Sequence, residues 1–185
     1  MKKILLLLIM VLTITLSACG EDIPAEEKNF KDAMSSLELE DSVTIKTTLK
    51  DFPVIGDVES LIKIQGDAVE MIIFDESLYM VNEDDVMYML IEANGVYTKE
   101  VADEEDQDVV NTDLGLNYED FTFEDGVYKA NVVIEDMVDL ELVITDGVLV
   151  SMTFTAEIPD LNMSVVTVME FIDYGNTTVT LPAYE

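Results

Sequence analysis

Residues 137–157, MVDLELVITDGVLVSMTFTAE, indicate the fold more clearly than any other stretch of the chain. Apolar residues alternate with polar ones on both sides of Asp146-Gly147: Val138, Leu140, Leu142 and Ile144 before the pair, and Val148, Val150, Met152 and Phe154 after it. A period of two is typical of a strand with one buried face. Asp-Gly favours a two-residue turn, since both turn positions need positive φ. The stretch therefore predicts a β-hairpin with strands at 137–145 and 147–157.

The same alternation extends over most of the chain. Val43, Ile45 and Leu49 alternate with polar residues, and Gly66-Asp67, Asn94-Gly95 and Asp125-Gly126 separate further apolar runs. Connections this short join antiparallel strands, because a parallel crossover needs a dozen or more residues. We expect the other strands at 42–51, 58–65, 68–74, 77–82, 86–92, 95–101, 118–123, 127–134 and 162–173.

One helix precedes the strands. Phe30, Ala33, Met34 and Leu37 recur at i, i+3, i+4 and i+7, which marks the apolar face of a short helix. The sequence therefore predicts an α+β fold that is mostly β. We expect a curved antiparallel sheet, or half-open barrel, with the N-terminal helix packed on its concave face.

The N-terminus is typical of an exported lipoprotein. Lys2 and Lys3 precede an apolar stretch over residues 4–14, and Leu16-Ser17-Ala18-Cys19 looks like a bacterial lipobox. This resemblance implies that a signal peptide, 1–18, is removed and that Cys19 carries fatty acyl chains such as palmitate. Residues 19–25 are then a lipidated tether, and 26–185 a single domain at the extracytoplasmic face of the bacterial cell membrane. The alternative is a soluble secreted protein, cut at Ala18, with a free thiol at Cys19.

Composition excludes several function classes. The chain has 9 Lys+Arg, all of them lysine, against 40 Asp+Glu, for a formal charge of −31. Such a charge repels phosphate backbones, so we expect no nucleic-acid partner. The absence of histidine and the presence of one cysteine exclude histidine-based triads, Cys–His dyads and internal disulfides. We predict no catalytic residue, no cofactor and no dedicated metal site, while a hydrophobic content of 49% excludes a disordered acidic tail.

The densest acidic segment, at 103–111, lacks periodicity and is expected to be a solvated loop. Its carboxylates at Asp103, Glu105, Asp106 and Asp108 are oxygen ligands of the kind calcium prefers. The segment lacks the central glycine and terminal glutamate of an EF-hand loop, so only weak, nonspecific cation binding is expected.

Two strands are apolar on both faces, 86–91 and 71–74. Methionine is flexible and polarizable, and is common where a surface adapts to varied apolar partners. These side chains either fill an ordinary core or line a space for an acyl chain. The candidate lining residues are Met34, Leu37, Met71, Ile73, Met80, Met87, Met89, Met152, Phe154, Met169 and Phe171.

Three further features carry a family resemblance: the N-terminal helix, the repeated Leu78–Val81 and Val86–Met89 hairpin around 82–85, and the ending 171–182. Over about Lys28 to Pro182 the chain resembles the LolA-like superfamily, which includes the LppX/LprG-type envelope lipoproteins. The resemblance implies a half-closed antiparallel barrel with a helix lid and a cavity for lipid. The predicted function is a non-enzymatic carrier or binding module for a hydrophobic ligand. The alternative is a non-catalytic, acidic interaction or structural lipoprotein, and no protein partner is specified.

Overall fold

A computed structural model describes residues 23–39, 41–53, 55–84, 86–102, 114–134, 137–158 and 163–184. The predicted signal peptide and Cys19 lie outside the described residues, as do the four carboxylates at 103–108 proposed above as weak calcium ligands.

The described chain contains one α-helix, a 3₁₀ turn and eleven strands. The helix α1 covers Ala25–Leu39, and the 3₁₀ turn covers Tyr118–Asp120. The strands are β1 (Ser42–Phe52), β2 (Gly56–Gln65), β3 (Ala68–Ile73), β4 (Glu76–Glu83), β5 (Val86–Ala93), β6 (Val96–Val101), β7 (Phe121–Glu124), β8 (Val127–Ala130), β9 (Met137–Thr145), β10 (Val148–Ile158) and β11 (Met163–Ile172).

All eleven strands form one sheet in the order β6-β5-β4-β3-β2-β1-β11-β10-β9-β8-β7. Each strand pairs antiparallel with its neighbours, and the antiparallel pairing of β1 with β11 joins the two halves. The sheet is curved but not closed, since β6 and β7 are its edge strands and do not pair with each other; Tyr97 on β6 forms only an isolated bridge with Tyr184. The predicted fold class, a mostly β protein with an N-terminal helix packed on an open antiparallel sheet, is confirmed.

Two predicted strands are shorter than expected. Residues 118–123 were expected to be extended, but Tyr118–Asp120 form the 3₁₀ turn and only Phe121–Glu124 pair with β8. The last β7–β8 pair joins Phe121 and Ala130, so residues 131–134, the end of the predicted strand 127–134, have no partner on β7. Val132 and Val133 are consequently exposed, at 52% and 62%.

Two bulges change which residues of the defining hairpin face the core. The β9–β10 register shifts between Leu149 and Ser151, and again opposite Asp139, which has φ 55°. An extra residue reverses the side-chain alternation beyond it. Met137 and Leu149 therefore lie on the same face as Leu142, while Val138 and Val150 lie on the other face, contrary to the simple alternation in the sequence.

We call the face that carries the main core the inner face. It contains Val43, Ile45, Ile64, Val69 and Phe171, which belong to a single buried cluster that also includes the apolar side of α1. The opposite, outer face carries the intervening residues of each strand. Burying this face of the central strands against the helix and against the curved sheet itself supplies most of the hydrophobic stabilisation, whereas β6 has no buried residue.

The helix is held on the inner face by aromatic packing. Phe30, 1% exposed, has ring centroids 5.8, 5.2 and 5.5 Å from those of Tyr118, Phe121 and Tyr128. The Tyr128 hydroxyl donates a 2.7 Å hydrogen bond to the carbonyl of Glu26, so this buried phenol is satisfied by the helix backbone. Aromatic pairs in such tilted and edge-on arrangements add to the free energy from area burial.

The β9–β10 turn fixes the position of α1 along the strands. The Gly147 N–H donates a 2.6 Å hydrogen bond to Asn29 Oδ1. This turn lies at the end of the sheet where β1 begins, which we call the Ser42 end. The helix also ends at Leu39, a few residues before Ser42. The helix therefore lies over the Ser42 end of the inner face, and not over the opposite end, where β1 finishes at Phe52.

The C-terminal segment 177–184 crosses the outer face. Thr177 and Thr44 share a 2.8 Å hydroxyl hydrogen bond, and the Val179 N–H donates to Gln65 Oε1. The Tyr184 hydroxyl donates to Glu83, which also pairs with Lys99. Hydrogen bonds from Lys99 and Tyr184 lower the pKa of Glu83 below its usual range. The segment thus ties the outer sides of β1, β2 and β4 together.

Substituting Gly147 tests the position of the helix. A Cβ at this residue, which has φ +74°, would lie 2.9 Å from the Cβ of Asp32 on α1. Gly126 has φ +87° but open space around the same position, so Gly126→Ala is a matched control for backbone strain alone. We expect Gly126→Ala to lower the free energy of unfolding by about 1 kcal/mol and Gly147→Ala by roughly 1 to 3 kcal/mol more. Urea denaturation measures both values, and equal losses would contradict the helix contact.

Candidate functional site

Burial of the inner face decreases from the Ser42 end toward the Phe52 end. The strand register arranges its side chains in four cross-strand rows, and partners in a row contact one another. The first row, at the Ser42 end, is buried except for Met89, which is half-buried; it consists of Met89, Met80, Val69, Ile64 and Val43. In the second row only Ile45 and Phe171 are buried; it consists of Leu78, Met71, Ile62, Ile45 and Phe171.

The third and fourth rows are less covered. The third consists of Ile73, Ser60, Thr47, Met169 and Met152 and continues through Leu142 and Tyr128; its members on β1–β3 and β11 are not buried, whereas Met152, Leu142 and Tyr128 are. The fourth consists of Val58, Leu49, Thr167 and Phe154, of which only Thr167 is buried. Ile73 is 37% exposed. On β1–β5 and β11 the inner face thus has a packed end near Ser42 and a half-covered apolar end toward Phe52, while the helix packs mainly on β9 and β10. We call the half-covered part of the second to fourth rows the open trough; it consists of Leu78, Met71, Ile62, Ile73, Ser60, Thr47, Met169, Val58, Leu49 and Phe154.

Every methionine in a strand lies on the inner face. The register places there Met71, Met80, Met87, Met89, Met137, Met152, Met163 and Met169. Met80, Met87 and Met152 are buried, whereas the other five are half-buried. Methionine is apolar, so burial alone favours this face, and its flexible thioether chain makes the half-buried part of the face adaptable.

The candidate lining residues separate into three groups. Buried in the core are Leu37, Met80, Met87, Met152 and Phe171, where they serve packing. Half-buried are Met34, Met71, Met89, Phe154 and Met169, and Ile73 is exposed. All the strand members share the inner face, and Met34 packs on the core from α1. Their role in binding stays a prediction.

Sequence reasoning missed other members of the open trough. Ile62 and Leu78 pack against the core cluster and flank Met71 in the second row. The alternation of Val58, Ser60, Ile62 and Ile64 along β2 is the signal that identifies this face. Thr47 was also missed, because one of the three threonines of β1 carries no pattern that distinguishes it from the others.

A cleft of about 450 Å³ runs beside the helix, between α1 and residues 116–119. Its apolar walls are Phe30, Met34, Leu116 and Tyr118, and Lys31 and Glu119 lie among the polar lining residues. Burial raises the pKa of Tyr118, and the nearby carboxylates of Glu26 and Glu27 raise it further. The phenol therefore stays neutral at physiological pH, and the cleft keeps an apolar wall.

A second groove, of about 500 Å³, lies on the outer face. It is lined by Leu61, Ile72 and Phe74 and bordered by Lys46, which pairs with Glu59 at 2.9 Å. Its rim also carries Asp57 and Asp75, so the groove combines apolar and acidic surface. The acidic rim and the Lys46–Glu59 ion pair distinguish this groove from the methionine-rich inner face.

Each lysine outside the predicted signal peptide forms an ion pair with a carboxylate: Lys28, Lys31, Lys46, Lys50, Lys63, Lys99 and Lys129. Five of them lie on the outer face of the sheet and two on the exposed side of α1. The hydrogen bond that Lys46 donates to Glu59 raises the pKa of Lys46, and the one that Lys50 donates to Asp57 raises the pKa of Lys50. Because these seven lysines lie on the outer face or on α1, the inner face of the described sheet carries no lysine.

Among the described residues, no group of three or more His, Cys, Asp or Glu side chains is arranged to hold a metal ion. In the same part of the chain, α1 is neither long nor apolar enough to cross a membrane.

Comparisons with known proteins concern the fold alone. No protein-family description matches the chain, and no curated protein matches its sequence. The crystal structure of LprF from Mycobacterium bovis is similar, with a TM-score of 0.45 and 13% identity over 89% of this chain and 99% of that chain.

Paired substitutions test the burial gradient of the inner face. Met80 is 1% exposed in the first row, and Ile73 is 37% exposed in the third. We expect Met80→Ala to lower the free energy of unfolding by about 2 to 5 kcal/mol, because it leaves a cavity in the packed end. Ile73→Ala should cost about 1 kcal/mol or less, since solvent already reaches its side chain. Thermal and urea unfolding measure both, and comparable losses would contradict the gradient.

Proposed function

We propose that this protein is a lipid-anchored, extracytoplasmic lipoprotein of a bacterial envelope, whose inner face binds a hydrophobic ligand such as a lipid or an acyl chain. It acts as a binding or carrier module and not as an enzyme. The ligand lies in the open trough, against Met71, Met169 and Phe154, and extends toward the helix.

The observation that carries this proposal is the segregation of all strand methionines to one face with graded burial. A solvated protein gains from covering apolar surface, at about 25 cal/mol per Å². Here half-buried Met71, Ile62 and Leu78 lie side by side in the second row, and half-buried Met169 and Phe154 follow in the third and fourth. A guest hydrocarbon gains free energy by covering them, and unbranched methionine side chains repack around guests of different shape.

The anchor is proposed from the sequence. Cys19 precedes α1, and the segment 19–25 spans at most roughly 20 Å when extended. Acylation at Cys19 would then hold the domain near the membrane surface, since each buried methylene contributes about 0.8 kcal/mol. A carrier in this place exchanges its ligand with the adjacent leaflet.

A second candidate is a non-catalytic interaction or structural lipoprotein. It is favoured by the charge distribution, because pairing all seven described lysines leaves most of the 40 acidic residues uncompensated. A strongly acidic surface keeps a tethered domain soluble and presents it to cationic partners.

Lipid extraction tests the two candidates against each other. The full chain is expressed with its signal peptide in a bacterial host and purified from membranes, and its non-covalent ligands are identified by native mass spectrometry. A carrier retains lipid at close to one equivalent, and an acylated Cys19 peptide confirms the anchor. If the protein retains no non-covalent lipid after gentle purification or after purification without detergent, the acidic interaction module is favoured.

Neighbouring residues of β3 provide a matched pair for binding. Met71 faces inward and Ile72 outward, and both are half-buried. We expect Met71→Gln to weaken saturable binding of the apolar dye N-phenyl-1-naphthylamine by about fivefold or more, because a polar amide replaces a thioether in the open trough. Ile72→Gln should leave the dissociation constant within about twofold. Fluorescence titration measures both, and equal effects of the two substitutions would contradict ligand binding on the inner face.

A further inference from the structure

One polar atom in the open trough is unsatisfied. Thr47 Oγ1 exposes less than 1 Å² to solvent and has no hydrogen-bond partner among the described residues. Thr47 lies in the third row, directly between Ser60 on β2 and Met169 on β11. Buried hydroxyls are normally hydrogen-bonded, since an unpaired one loses its hydration without compensation. This hydroxyl is therefore a donor that the folded chain itself does not use.

Apart from Ser60 in the same row and Thr167 in the next, the neighbours of Thr47 on this face are apolar. Ile45 and Leu49 are its neighbours on the same face of β1, with Ile62 and Val58 opposite them. Met169, which shares a row with Thr47, is half-buried and flexible, so its side chain can move aside for a guest. An acyl chain in the open trough would pass over Thr47 and bring any polar group near its end within reach of the hydroxyl.

The charges of the protein restrict what that polar group is. The inner face carries no lysine, and all the lysines of the described chain are already paired with carboxylates. An anionic headgroup would find no free cation, and the formal charge of −31 would repel it. A neutral oxygen acceptor meets neither cost, and hydrogen bonding to a buried hydroxyl compensates its desolvation.

We propose that the ligand is an acyl chain with an uncharged oxygen acceptor, such as an ester carbonyl, and that this oxygen accepts a hydrogen bond from Thr47 Oγ1 in the open trough. This inference rests on the proposed function, and it specifies the class of ligand for that site. Thr47 is then a specificity residue, which selects neutral esters over free fatty acids and over plain hydrocarbons.

The test uses Thr47→Val, which replaces the hydroxyl by a methyl group of similar volume. Thr153→Val is the matched control, because Thr153 is a half-buried threonine on the outer face of β10. The probes are N-phenyl-1-naphthylamine, methyl palmitate and palmitate, and the two palmitoyl compounds are measured by displacement of the dye from the mature domain. Urea unfolding is recorded for each variant without ligand.

We expect the wild-type protein to bind methyl palmitate about tenfold or more tightly than palmitate at low ionic strength. Thr47→Val should weaken methyl palmitate binding about five- to tenfold, the equivalent of one hydrogen bond, and weaken dye binding by a smaller factor, since the dye has no ester oxygen. The same substitution should not reduce the urea midpoint of the empty protein, since no hydrogen bond is lost there. Thr153→Val should leave binding of both palmitoyl compounds unchanged.

The outcomes separate this inference from the proposed function. If the dye binds saturably but Thr47→Val leaves methyl palmitate affinity unchanged, or if palmitate binds as tightly as its methyl ester, the role of Thr47 is refuted while ligand binding stands. If Thr47→Val lowers the urea midpoint and weakens dye and ester equally, the hydroxyl is structural and the inference is wrong. If neither dye nor ester binds the wild-type protein, the proposed function itself is refuted.

Discussion

The contact between α1 and one end of the inner face determines how the rest of the molecule is arranged. Phe30 packs among Tyr118, Phe121 and Tyr128, and the Gly147 N–H holds Asn29 at the turn of the β9–β10 hairpin. A helix of this length covers only part of an eleven-stranded sheet. The sheet cannot bury its whole apolar face, and the Phe52 end stays half-covered. That incomplete cover is the physical basis of the proposed binding site.

The two faces of the sheet differ in composition. The inner face carries the methionines and the core, whereas the outer face carries the sheet's lysines, paired with acids, and the C-terminal segment. Surface ion pairs contribute little to stability, so their consequence here is mainly electrostatic. By engaging every lysine that could attract an anion, they leave a strongly acidic exterior around an apolar trough. An acidic exterior around an apolar trough is compatible with a neutral, hydrophobic ligand.

The sequence predicts the architecture well, because alternation with period two and Asp-Gly turns are local signals. It fails where non-local pairing decides the outcome. The bulge at Asp139 moves Val138 to the outer face, and the 3₁₀ turn at Tyr118 shortens β7; neither has a distinctive residue pattern. The shared face of the lining candidates followed from alternation, but the gradient of their burial depends on where the helix lies. Thr47 became a candidate only through its cross-strand neighbours.

The most direct test of partial cover is methionine methyl NMR of the mature domain, titrated with N-phenyl-1-naphthylamine. The account predicts saturable shifts for the methyl groups of Met71 and Met169 in the open trough, and much smaller shifts for Met80 and Met152, which are 1% and 3% exposed. Uniform shifts in proportion to dye concentration, or no shift at Met71 and Met169 while the dye binds elsewhere, would contradict it.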